Sequence, residues 1–376
     1  ESAITLLKDS GAHVPENMHP NLEYFSTVIG GHFRALENSV EYSSRVLCSW
    51  PVHTLSLQNL MEWSQFNTDR LILPSIELIC AALLQKQYKM DDKVGEYTLG
   101  QWMELGVCSP SVLGLQESIP TIPLTVLCAF FECGWKETSL ENGELPYLRE
   151  LLRHSLLSVE ARTRGETTFH RHDHFHIYWE NLNRALLPIP QTLLSFYGVG
   201  HQHTLSPHLA NLTLPFQPKT RGVTEFDGLE ALLKVKEYPS VDWFDHMFLG
   251  RRLEDPISSF YLEVLDNHQL LLVAMDHNRG GWEPLPAKCK SMIRKHTELM
   301  NMLFPGQETK RTWKVAKKVY TLARDHVVLV FASLRLLPSV EMLQRSSKDF
   351  QIILLDDSQL ESLYPPSLAS IPSMWA

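Results

Sequence analysis

The sequence predicts a mixed α+β protein: a helical N-terminal half followed by an α/β C-terminal domain with a β-hairpin and a βαβ unit. Three observations carry that prediction. Up to Gly165, apolar residues recur in short helical patches, broken by Pro, Gly or Asn at intervals of roughly 20–35 residues, as in helical-repeat scaffolds. Beyond Gly165, β-branched and aromatic residues become frequent and alternate with polar ones. Near the end, two continuous apolar runs at 327–331 and 350–355 flank a helical stretch at 339–346, the pattern of parallel strands buried on both faces. A chain of 376 residues exceeds most single domains, so the expected division is 1–165 and 166–376.

In the first half, Ile4, Leu6 and Leu7 precede Gly11, a helix stop. Ser75 follows Pro74 and is an N-cap for a helix with Ile76, Ile79, Cys80 and Leu83 on one face. A further helix carries Trp102 and Leu105 and ends at Gly106, and residues 146–160 read as helical too. In the second half, the alternation over 167–179 predicts a strand, and 188–218 reads as a loop-like joint. The run from Phe260 to Leu265, the pair Asp266-Asn267 and the run from His268 to Met275 predict a hairpin, since Asp and Asn both tolerate positive φ. Residues 308–324 read as a basic amphipathic helix. Its apolar side is Val315, Ala316, Val319, Leu322 and Ala323; its basic side is Lys310, Lys314, Lys317, Lys318 and Arg324.

Two features carry candidate chemistry. The first is the histidine series His170, His172, His174 and His176, followed by His201, His203 and His208. On a strand, alternate residues share a face, so the four histidines point one way. Imidazole suits zinc or iron, and the expected ligands are His172, His174 and His176 with help from His201 or His203. The stretch from His174 through His176 to Glu180 resembles the HxHxxxE core of the first cupin motif. That family implies a double-sheet β-barrel holding a metal on those three residues and a later histidine. The preceding glycine and the second motif of that family are missing. The run His170-Arg171-His172-Asp173-His174 is similar to the HxHxDH of metallo-β-lactamase-like hydrolases, one residue short of its spacing. Glu263, Asp266 and Asp276 resemble the carboxylates of PD-(D/E)xK nucleases, whose lysine position is Asn278 here.

The second feature is charge. The net charge is −9, yet residues 288–324 hold ten Lys/Arg against two Asp/Glu, a local +8 that leaves −17 elsewhere. Such an island suits an acidic partner or nucleic acid. No phosphate-binding glycine loop and no G-x-S-x-G elbow is present, and Gly198-Val199-Gly200 lacks a third glycine. There is no apolar run of about 18 residues, so no membrane span is expected. The six cysteines form no CxxC pair and read as buried thiols of a reducing, intracellular compartment. The expected function is therefore a non-enzymatic scaffold or adaptor subunit of a larger intracellular assembly, without a cofactor. It has protein partners, and the 288–324 segment meets an acidic partner or nucleic acid. The alternative is a metal-dependent hydrolase or oxygenase using one zinc or iron ion on the histidine strand.

Overall fold

A computed structural model describes residues 74–112, 117–123, 126–127, 130, 169–187, 190–198, 203–217, 221–226, 243–250, 257–277, 284–315, 317–333, 337–346 and 350–368. The chain forms two compact units, Glu1–Glu166 with Tyr364–Ala376, and Thr167–Leu363. The expected helices near Ile4 and at 146–160 lie outside the described residues, as does His201.

In the first unit, helix α1 (Ile76–Leu83) begins where Ser75 Oγ accepts the Leu78 N–H, and it buries Leu78, Ile79, Ala82 and Leu83. Strands β1 (Lys93–Val94) and β2 (Tyr97–Thr98) form a short hairpin that leads into α2 (Leu99–Glu104). A reciprocal cap starts α2: Thr98 Oγ1 accepts the Gln101 N–H at 3.2 Å and Gln101 Oε1 accepts the Thr98 N–H at 2.9 Å. Gly106, at φ +73°, follows its last turn. Trp102 is buried and its indole donates to Val94 O at 2.8 Å, which fixes α2 on the hairpin. Strands β3 (Ser109–Val112) and β4 (Ser118–Thr121) pair antiparallel.

The second unit opens with helix α3 (Phe169–Leu186), and here the strand expected at 167–179 is corrected. Alternation among histidines says nothing about which residues are sheltered. Phe175, His176, Ile177, Trp179, Glu180, Asn181 and Leu182 are all buried, a run that covers more than one side of a helix. Two short helices follow within the expected joint, α4 (Leu193–Phe196) and α5 (Pro207–Ala210).

A seven-stranded mixed sheet forms the centre of this unit. Its strands are β5 (Gly222–Phe226), β6 (His246–Gly250), β7 (Ser259–Val264), β8 (Gln269–His277), β9 (Lys310–Val315), β10 (Lys318–Ala332) and β11 (Ile352–Leu355). The order is β11-β10-β8-β7-β6-β5, and β9 pairs with β10 off this path. β6, β7 and β8 form an antiparallel meander; β8, β10 and β11 run parallel, and β5 is parallel to β6. The expected hairpin is β7–β8, turning through Asp266–His268, with Asn267 at φ 57° and His268 at φ 59°. The expected βαβ unit is β10, α7 (Val340–Ser346) and β11. Helix α6 (Leu285–Leu303) connects β8 to the β9–β10 pair, and α8 (Asp357–Leu363) follows β11.

The sheet separates two kinds of interior. Phe260 and Leu262 of β7 and Leu270, Leu272 and Ala274 of β8 join Cys289, Met292, Leu299 and Leu303 of α6 in one apolar cluster. Burying each such aliphatic side chain contributes about 1.5–3 kcal/mol. The intervening residues Tyr261 and Glu263 point the other way, towards α3.

The basic helix expected at 308–324 is also corrected, for this segment is the β9–β10 hairpin. Lys310, Thr312 and Lys314 are exposed while Trp313 is buried, a period of two rather than 3.6. The Val315, Val319 and Leu322 spacing fits a helix face, yet Thr312, Trp313, Val315, Val319, Tyr320 and Thr321 all favour strands.

Candidate functional site

Helix α3 places Glu180 and Arg184 one turn apart, facing Tyr261 and Glu263 of β7. Arg184 pairs with Glu263, whose other oxygen receives Arg221 Nη2 at 2.7 Å. Arg221 also donates to Leu262 O at 3.0 Å, and the Arg184 guanidinium lies 5.3 Å from the Tyr261 ring centre. Tyr197, from the residue after α4, donates to Glu180 Oε1 at 2.9 Å, and its hydroxyl is 3.2 Å from that of Tyr261. His176 Nε2 stands 3.7 Å from Glu180 Oε2.

Burial drives the Glu180 carboxyl up to about 7, against the opposing pull of Tyr261 and Arg184. Burial also pushes Glu263 upward, but Arg184 and Arg221 outweigh it and hold that carboxyl below its ordinary value. Burial raises the phenols of Tyr197 and Tyr261 far above their usual range. Two carboxyls with pKa values driven apart form an acid–base pattern. The carboxyls and phenols here are buried: Glu180 and Glu263 are 1 % exposed, Tyr197 and Tyr261 0 %, while Arg221 is half-buried. The cluster joins helix to sheet.

The metal reading loses its shared face. At about 100° per residue, position 174 lies on the opposite side of α3 from positions 172 and 176. His176 is fully buried beside Glu180. His203 instead bridges to Ile353 at the sheet edge, and its Nδ1 accepts the Leu205 N–H at 3.2 Å. Among the described residues, no group of three or more His, Cys, Asp or Glu is arranged to hold a metal ion.

The nuclease-like acids do not converge either. Glu263 is held by two arginines on the α3 side, and Asp266 sits in the β7–β8 turn. Asp276, at the end of β8, takes Lys295 Nζ of α6 on both oxygens, at 2.8 and 2.7 Å. Asp356 is a cap: its carboxylate accepts the Gln359 N–H and the Ser358 hydroxyl at the start of α8.

The basic hairpin is accessible. Lys310, Lys314, Lys317 and Lys318 are exposed, and among the described residues no partner in an ion pair or hydrogen bond is found for any of their four ammonium groups. The expected fifth member, Arg324, is set apart. Its guanidinium covers the Phe304 ring at 6.0 Å, and its N–H donates to Thr309 O at the foot of the hairpin. Arg311 is structural as well, donating to Met302 O and Leu303 O at the C-terminus of α6 and lying 5.4 Å from the Trp313 ring centre.

Sequence reasoning found the lysines and missed the sealed cluster. Its one sequence signal is Glu180 and Arg184, one turn apart in a helix beside Trp179 and Leu182; the other members are dispersed along the chain. Among the described residues, Cys80, Cys108 and Cys289 form no disulfide, and burial pushes Cys108 up to about 12. No helix among the described residues is long and apolar enough to cross a membrane. The chain matches no protein-family model, no curated protein and no solved structure.

Proposed function

We propose that the chain is a non-enzymatic scaffold subunit of a larger assembly, whose α/β unit presents the β9–β10 hairpin to a polyanionic partner, an acidic protein surface or nucleic acid. The observation that carries this reading is the set of four exposed lysines in one hairpin, whose ammonium groups have no partner among the described residues. Natural surfaces intersperse charges of both signs, so a single-sign field concentrates counter-charged partners. The sealing of the Glu180–Glu263 cluster supports the non-catalytic part, since its titratable groups hold the fold together.

The test is retention on immobilised heparin, a generic polyanion. Changing Lys310, Lys314, Lys317 and Lys318 to Glu abolishes retention at physiological salt if the reading holds. Retention equal to the parent chain's would overturn it.

A further inference from the structure

The hairpin carries charge on both faces and at its end. Residues opposed across two strands share a face. Lys310, Thr312 and Lys314 therefore share one face with Ala323, Thr321 and Val319. Lys318 opposes Val315 on the other face, where Trp313, Tyr320 and Leu322 continue towards the interior. Lys317 occupies the connection between the strands. Its φ of +68° is a left-handed value that glycine or asparagine adopts more readily. The chain keeps a long cation where backbone geometry favours a residue without one.

The end of this ribbon reaches past the sheet. β8 begins to pair with β10 at Thr321, so Lys318, Val319 and Tyr320 pair with β9 alone. Three strand residues span roughly 10 Å.

The anchors used by other polyanion readers are turned inward. Trp313 is buried, Tyr320 packs against Phe244 and His268 at 4.4 and 5.2 Å, and Arg311 is bound to the end of α6. Protein interfaces rely on exposed Trp, Tyr and Arg anchors, and single-stranded nucleic acids are held by aromatic stacking. The tip presents neither. It presents lysines and Val319, 53 % exposed. A two-stranded ribbon fits the B-DNA major groove, about 12 Å wide and about 8.5 Å deep, whereas the A-form RNA groove is too narrow for it. Phosphates line both edges of such a groove, and the ribbon carries cations on both faces and at its end to meet them.

We infer that the β9–β10 tip is a DNA-duplex ribbon that enters the major groove and binds phosphates without reading sequence, an inference that rests on the reading of the hairpin as a polyanion site. Lysine acts as a point charge on phosphate, and contacts to phosphate fix position without carrying sequence information.

The experiment is fluorescence anisotropy of the full chain with a short mixed-sequence DNA duplex. A single strand of the same sequence, an RNA duplex and polyglutamate serve as parallel probes. The DNA duplex is expected to bind at least tenfold more tightly than the other three. With four phosphate contacts, its affinity falls about 150-fold between about 50 and about 200 mM salt, and each single Lys→Ala change lowers the salt slope by about 0.9. Lys317→Gly keeps the turn and loses the charge, so a weakened complex from this well-folded variant separates charge from folding. Equal binding of all four probes, still dependent on the lysines, would overturn the duplex inference while leaving the polyanion reading standing. Binding indifferent to the lysines would overturn both.

Discussion

Arg184 shows how a single side chain can hold two elements together. It leaves α3, reaches Glu263 on β7 and also donates to Pro215 O at 3.3 Å. The carboxylate it faces is 1 % exposed and cannot turn to water. Removing one partner of a buried pair leaves an uncompensated charge, which costs about 3–5 kcal/mol. Arg184→Met is therefore expected to lower the unfolding free energy, read from urea denaturation, by an amount in that range. A loss below about 1 kcal/mol would mean that Arg221 alone satisfies Glu263. His296 is the opposite case. It lies on α6 against Phe350 at 4.4 Å, 2 % exposed, and among the described residues neither ring nitrogen has a hydrogen-bond partner. An apolar residue of similar size loses nothing there and removes two buried unsatisfied atoms.

Among the elements, the β9–β10 hairpin combines a strained turn with a charged tip. Lys317→Gly relieves the left-handed strain and is expected to stabilise the fold by about 1 kcal/mol, read from chemical denaturation, even as it weakens polyanion binding. A destabilised variant would mean that the turn depends on the lysine side chain. How far the elements were legible follows from where their signals came from. The β7–β8 hairpin and the β10-α7-β11 unit were legible because their patterns are apolar, and apolar pattern reports burial directly. The histidine run was misread because its alternation is polar, and α3 is packed by residues far along the chain, such as Tyr261 and Glu263. The 308–324 segment was misread because a few apolar residues satisfied two periods at once. The lysine positions survived that error, since an exposed cation is exposed on either element. The sealed cluster was illegible because tertiary packing alone assembles it.

For the whole molecule, two buried groups set opposing responses to pH. Burial, with the Arg324 charge nearby, lowers His296 from 6.5 to about 4. Between these values the unfolded chain binds the extra proton, so stability is full above pH 6.5 and falls as pH drops, by about 3 kcal/mol if fully expressed. Glu180 is raised from 4.5 to about 7, so the folded chain holds the extra proton. Its contribution is full below pH 4.5 and is lost as pH rises through 7. The two slopes oppose one another across the overlap. His296→Leu is expected to make the protein gain stability on acidification relative to the parent chain, and Glu180→Gln to make it lose more, both read from denaturation midpoints at pH 7 and pH 5. Parallel profiles for all three proteins would show that neither group titrates on unfolding.

β10 is a single strand of 15 residues. One end carries the lysine tip; the other lies between β8 and β11, bonded on both sides. Tension applied at the tip therefore runs lengthwise down β10 into the sheet, between β8 and the edge strand β11. There it meets two ladders whose hydrogen bonds lie across the pull and share the load, rather than opening one by one. The strand that carries the exposed lysines at one end is thus gripped from both sides at the other.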